Sequence, residues 1–147
     1  MRARLLAAYV AVLATSCGAG RDTSGPSPRL SPAEVVSVQV GGLQHYNRPA
    51  PNAGIWTAYQ FASPANRQVT GPYGRFLRII RSPANRALLH SREWRVENVR
   101  QVESQAEVVV VVSDDAGVSS RWTFSLSKQE GAACKGCWMT DGVVQNR

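Results

Sequence analysis

The sequence predicts an α+β domain in which N-terminal helices pack on a curved antiparallel sheet of about four strands. Between Ser31 and Leu89 the apolar residues recur at helical spacing. From Glu93 onward they alternate with polar residues, which is the period of strands. Helices that precede a run of consecutive strands favour one helical layer on one face of an antiparallel sheet.

The first helix is predicted to start at Ser31. Ser31 can cap the helix, Pro32 suits its first position, and Glu34 completes a capping box. The apolar stripe of this helix consists of Val36, Val40 and Leu43. After a break at residues 47–51, a second helical stripe follows with Ile55, Tyr59 and Ala62.

The pentapeptide Ser-Pro-Ala-Asn-Arg occurs twice, at residues 63–67 and 82–86. Each copy has the chemistry of a helix start, a capping residue followed by proline. The flanking residues differ, so we interpret the copies as two independent helix starts with the same local sequence and not as a duplication of the fold. Between them a further helix follows Gly71-Pro72, with Phe76, Ile79 and Ile80 on one face.

The second half of the chain predicts an antiparallel meander. The five consecutive valines Val108–Val112 suit a strand buried on both faces. A connection at residues 114–117 ends in glycine and predicts a hairpin. In the next strand Trp122, Phe124 and Leu126 share one face, and a last strand is predicted near residues 138–144.

The N-terminus predicts export. Two arginines precede an uncharged run, Leu5–Ala14, and small residues follow before Cys17, which is the plan of a secretory signal peptide over residues 1–16. The run is shorter than the roughly 20 apolar residues that span a bilayer. The segment also resembles the bacterial lipoprotein signal, in which the cysteine is lipidated, although Ala14 stands where that signal usually has leucine. Ordinary cleavage before Cys17 is the alternative.

Residues 17–30 are predicted to form the lipid attachment and a flexible tether, because residues 21–30 are rich in Ser, Pro and Gly. Residues 31–147 then form one α+β domain. We expect the protein in the bacterial periplasm, held at the membrane by a lipid on Cys17. The formal charge of +7 comes from basic residues that are scattered singly, so nucleic acid is not an expected partner.

The three cysteines predict a disulfide and leave one thiol over. Cys134 and Cys137 can pair as a structural clip, and a lipid thioether would account for Cys17. Their C-x-x-C spacing is also that of thiol oxidoreductases, which remains an alternative. Zinc would need further ligands, and the two histidines, His45 and His90, lie far away in the sequence. We therefore expect no metal and no cofactor.

Asp141 is the candidate catalytic residue. An acid near the end of a curved sheet can face an internal pocket and act as a general base when burial raises its pKa. The alternative is an aspartate at a turn or strand end that makes local hydrogen bonds to the backbone. The polar side chains of the two pentapeptides are weaker candidates for binding an anionic ligand, because helix N-termini attract anions. Its members are Asn66, Arg67, Asn85 and Arg86.

Several motifs resemble an uncharacterised family of bacterial exported proteins, domain of unknown function 4864, over about residues 31–144. They are SPAEVV (residues 31–36), AGI (53–55), FASPANRQVTGP (61–72), LSKQEG (126–131) and GCWMTDGV (136–143). The order of elements also resembles the NTF2-like and cystatin-like α+β folds. The family resemblance implies kinship and supplies no reaction, ligand or catalytic residue.

These observations favour a non-catalytic binding or accessory module of the envelope whose partner is a small ligand or another envelope protein. The first alternative is an enzyme of NTF2-like build with Asp141 as base. The second is thiol-disulfide activity at Cys134 and Cys137.

Overall fold

The computed structural model describes residues 25–147 and has the predicted α+β architecture. The helical layer consists of α1 (Pro32–Gln44), α2 (Ala53–Gln60), α3 (Pro64–Thr70), α4 (Tyr73–Ile80), a 3₁₀ turn (Pro83–Asn85) and α5 (Arg86–Leu89). The strands are β1 (Ser91–Val102), β2 (Gln105–Asp114), β3 (Ser119–Lys128) and β4 (Trp138–Asn146). They form one antiparallel sheet in the order β1-β2-β3-β4. No helix within residues 25–147 combines the length and apolar character needed to cross a membrane.

The start of α1 confirms the predicted capping box. The Ser31 hydroxyl accepts from the Glu34 backbone N–H at 3.3 Å, and the Glu34 carboxylate accepts from the Ser31 N–H at 2.9 Å. The predicted stripe of α1 is buried against α2 and the sheet: Val36, Val40 and Leu43.

Helices α1 and α2 approach each other closely at two glycines. A Cβ atom on Gly54 would collide with the carbonyl oxygen of Gly42 and would lie 2.7 Å from its carbonyl carbon and 2.8 Å from Tyr46 Cα. The Gly54 N–H also donates to the Tyr46 carbonyl at 3.0 Å. Only a residue without a side chain fits here, so Gly54 fixes the separation of the two helices.

The sheet buries the face that carries the helices. Val108, Val110 and Val112 are fully buried on this face, together with Trp122 and Phe124. Val109 and Val111, on the opposite face, are only half-buried. The prediction of a strand buried on both faces is therefore wrong, because the helices of residues 25–147 cover only one side of β2.

The segment 25–30 lies against the domain, within the range predicted as a tether. Leu30 packs on the core, and its N–H donates to the Ser27 carbonyl at 3.1 Å. The Pro26 carbonyl oxygen is 3.7 Å from Cys134 Sγ, and Pro28 borders Gly136. The folded body therefore begins before Ser31. The predicted signal peptide, Cys17 and the rest of the tether lie outside the described residues.

Candidate ligand cavity

A cavity of about 300 Å³ lies between the helices and the β3–β4 side of the sheet. This volume is at the lower end of the range for small-molecule sites. Most of its wall is apolar and comes from α1, α2, α4, α5 and β3: Leu43, Ala58, Phe76, Ile80, Leu88 and Phe124. Such a wall suits a ligand that is mostly hydrocarbon.

Exposed apolar side chains border the cavity where it meets solvent. Val69 of α3 is 75% exposed, Ile79 of α4 is 36% exposed and Val143 of β4 is 37% exposed, and all three contribute to the lining. Ile79 was predicted on one face of its helix with Phe76 and Ile80, and all three residues line this cavity. Apolar side chains that border a concave site are typical of a binding surface.

Residues 140–143 of β4 line the cavity, and a β-bulge determines which of their side chains lie on the cavity face of the sheet. Thr140 pairs with Leu126, Gly142 pairs with Ser125, and Asp141 is the extra residue between them. The extra residue shifts the alternation, so that Thr140 and Val143, three positions apart, lie on the cavity face of the sheet.

A buried polar network lies at the inner part of the cavity. Thr140 Oγ1 donates to Gln39 Oε1 at 2.6 Å, and Gln39 Nε2 donates to the Ala58 carbonyl at 3.0 Å. Asn66 Nδ2 donates to the Thr140 carbonyl at 3.1 Å, and its Oδ1 accepts from Thr70 Oγ1 at 3.1 Å. Gln39, Asn66 and Thr140 are each at least nine-tenths buried. The network therefore connects α1, α2, α3 and β4 around one side of the cavity.

Backbone pairing explains why Asn66 meets β4. Thr140 N–H donates to the Phe61 carbonyl at 2.8 Å, and the Ser63 N–H donates to the Thr140 carbonyl at 2.9 Å. Ser63 caps α3 as predicted, accepting from the Asn66 N–H at 3.1 Å. The first turn of α3 is thereby held against Thr140.

Asp141 contributes to the cavity lining, but its carboxylate bonds on the other side of the sheet. Its Oδ1 accepts from Ser127 Oγ at 3.0 Å. Ser127 alternates with the buried Leu126 and so belongs to the outer face. This bond joins the side chains of two neighbouring strands, β3 and β4, and is not the local backbone bond of the alternative. Catalysis by Asp141 stays a prediction.

The four polar residues of the repeated pentapeptide do not converge on one anion site. Asn66 and Asn85 both line the cavity, and Asn85 Nδ2 donates to the Ile79 carbonyl at 2.9 Å. Arg86 is exposed. Arg67 borders a different pocket, beside Cys134.

Arg67 instead closes the C-terminal end of α2. Its Nη2 donates to the Tyr59 carbonyl at 3.0 Å and to the Gln60 carbonyl at 3.1 Å. The guanidinium lies 4.5 Å from the centre of the Tyr59 ring. These contacts orient Arg67 toward helix carbonyls, which are satisfied by a cation at this position.

Cys134 and Cys137 form a disulfide in the loop before β4, with Cα atoms 5.5 Å apart. Cys137 is fully buried and Cys134 is half-buried. The pair is followed directly by a strand, whereas catalytic thiols of this spacing commonly lie at a helix N-terminus. Within residues 25–147, no group of three or more metal-ligating side chains comes together.

Sequence reasoning missed Gln39 and Thr140, although each carries a recognisable signal. Gln39 interrupts the apolar stripe of α1 beside Val36 and Val40, and Thr140 follows the apolar pair Trp138-Met139 at the start of β4. A polar residue on a buried face needs a partner, because an unpaired polar group there costs free energy.

The chain matches no family model, no curated protein and no solved structure at the level that would establish kinship. Its likeness to domain of unknown function 4864 and to NTF2-like folds therefore stays a prediction.

Proposed function

We propose that this protein is an exported envelope module that binds a small, largely apolar ligand in the cavity without catalysing a reaction on it. The cavity is the observation that carries the proposal. It has apolar walls, an apolar border and a small set of buried hydrogen-bonding groups, which together are the usual composition of a small-molecule site.

The size of the cavity sets the scale of the affinity. Its volume of about 300 Å³ corresponds to roughly ten water-sized groups. A ligand that buries about eight methylene groups gains about 6 kcal/mol at 0.8 kcal/mol for each group. A gain of about 6 kcal/mol alone corresponds to a dissociation constant of about 40 μM. Immobilising the ligand opposes this gain, so dissociation constants between about 40 μM and 1 mM are expected.

Matched tryptophan substitutions on β4 test the proposal. Val143 lines the cavity, whereas its neighbour Val144 pairs with Thr123 on the other face and is 60% exposed. Val143→Trp should occlude the cavity and abolish binding, and Val144→Trp should retain it. Because a ligand of this affinity is lost during purification, 1-chloroheptane is titrated into each purified variant and its dissociation constant is measured. Equal affinity of both variants for this probe would count against the cavity as the site.

The orientation of Asp141 supports a binding module over the enzymatic alternative, because the carboxylate oxygen bonds to Ser127 on the outer face. The strand that follows Cys137 likewise supports a structural role for the disulfide over thiol-disulfide exchange.

We also propose that the module is held at the membrane by a lipid on Cys17, in the periplasm. The signal-like N-terminus and the odd cysteine support this. A fatty-acid analogue fed to cells should label the wild type, and Cys17→Ser should remove both the label and the association with membranes. An unlabelled wild type would refute lipidation and leave export untouched.

A further inference from the structure

We infer that the ligand of the cavity is a neutral amphiphile whose acceptor oxygen binds the side-chain amides of Gln39 and Asn66. This inference rests on the proposed function and specifies its ligand class. It places the polar group of the ligand inward and its hydrocarbon along the apolar wall, toward Val69, Ile79 and Val143.

The two amides have donor hydrogens to spare. A carboxamide carries two N–H donors. Gln39 Nε2 uses one on the Ala58 carbonyl, and Asn66 Nδ2 uses one on the Thr140 carbonyl. Within residues 25–147 no protein group accepts the second hydrogen of either amide. Gln39 is 5% exposed and Asn66 is 8% exposed, so few solvent contacts can replace the missing acceptor.

The hydroxyl hydrogens of the network are already engaged. Thr140 Oγ1 donates to Gln39 Oε1. Thr70 Oγ1 donates to two oxygens of Asn66, the backbone carbonyl oxygen and Oδ1. What the network offers a ligand is therefore an excess of N–H donors. An acceptor such as the oxygen of a ketone, ester, amide or alcohol complements this excess.

The charges around the cavity favour a neutral ligand. Among the described residues that line it, Asp141 is the one with an ionisable side chain, and its carboxylate bonds to Ser127. No lining cation is present in this part of the chain to pair with an anionic ligand. An unpaired charge taken out of water is costly, so a carboxylate should bind more weakly than a neutral oxygen on a similar chain.

Three probes of similar size test the inference by titration into the ¹⁵N-labelled, cell-processed chain. The probes are 2-octanone, 1-chloroheptane and octanoate. We expect 2-octanone to shift the side-chain amide proton resonances of Gln39 and Asn66, with an affinity about three- to tenfold above that of 1-chloroheptane. Octanoate should bind more weakly than 2-octanone at neutral pH. Val143→Trp should remove these shifts, and Val144→Trp should retain them.

The outcomes separate the inference from the proposed function. If 1-chloroheptane binds as tightly as 2-octanone, or octanoate binds more tightly, the inference is overturned and the apolar-ligand function stands. Unmoved side-chain amide resonances on 2-octanone binding would likewise overturn it. If no probe moves any resonance of a cavity residue, the proposed function falls together with the inference.

Discussion

Gly54→Ala tests whether the spacing of α1 and α2 depends on backbone contact. The added Cβ would collide with the Gly42 carbonyl oxygen and would lie 2.7 Å and 2.8 Å from two further backbone carbons. No side-chain rotation relieves these contacts, so the helices must separate. Overpacking of this kind costs about 1 to 3 kcal/mol or more, and alanine recovers about 1 kcal/mol of helix propensity.

We therefore expect Gly54→Ala to lower the free energy of unfolding by about 2 kcal/mol, since the collision with backbone places its cost at the upper end of the range. For a domain of this size the melting temperature should fall by about 8 °C. Urea unfolding followed by tryptophan fluorescence, at an unchanged m value, measures the loss.

Gly41→Ala is the matched control in α1. Its Cβ would lie 3.8 Å from the nearest Trp94 side-chain atom, an ordinary contact, so this variant should gain about 0.5 to 1 kcal/mol. A Gly54→Ala protein as stable as the wild type would refute the reasoning. A similar loss of stability in Gly54→Ala and Gly41→Ala would show that the backbone contact of Gly54 is not the cause of the loss.

Val110→Asp should abolish the cooperative unfolding transition, because Val110 is fully buried and an unpaired charge there costs several kcal/mol; a soluble, cooperatively folded variant would contradict the facing of β2. Replacing Cys134 and Cys137 together by serine should lower the free energy of unfolding by about 1 to 2 kcal/mol, and alkylation with mass spectrometry should find both thiols protected in the exported wild type. Hydrogen bonding from Arg121, at 2.8 Å to the nearer oxygen, holds the pKa of Glu97 below its usual value. The stabilisation from this lowered pKa is present above the unfolded-state pKa and is lost as the pH falls through the folded-state pKa. Glu97→Gln should therefore match the wild type in acid and fall below it at neutral pH, with a difference that salt reduces; identical pH profiles would contradict the interaction.

The fold was predictable where local chemistry decides it. The capping box of Ser31 and Glu34 and the stripe of α1 follow from neighbours within a few residues, and the structure confirms them. The two faces of Val108–Val112 were not predictable in the same way. Which valine is buried depends on the face that distant helices cover, and this information is absent from the local pattern.

The cavity was harder to predict because its polar contacts join distant positions. Gln39 and Thr140 are 101 residues apart. The bulge at Asp141 also breaks the period of two, and a pattern read along β4 assigns the residues after it to the wrong face. Asp141 was predicted to face a pocket and bonds instead to Ser127 on the outer face, whereas the buried Thr140 beside it bonds to Gln39.

The contact of residues 25–30 with the domain limits how far the domain can lie from a lipid on Cys17. If Cys17 carries the proposed lipid, only residues 17–24 separate the anchor from the packed segment. Even fully extended, eight residues span at most about 25 to 30 Å. The domain would then work within roughly its own diameter of the bilayer surface, so a ligand that partitions into lipid would be concentrated where the cavity can meet it.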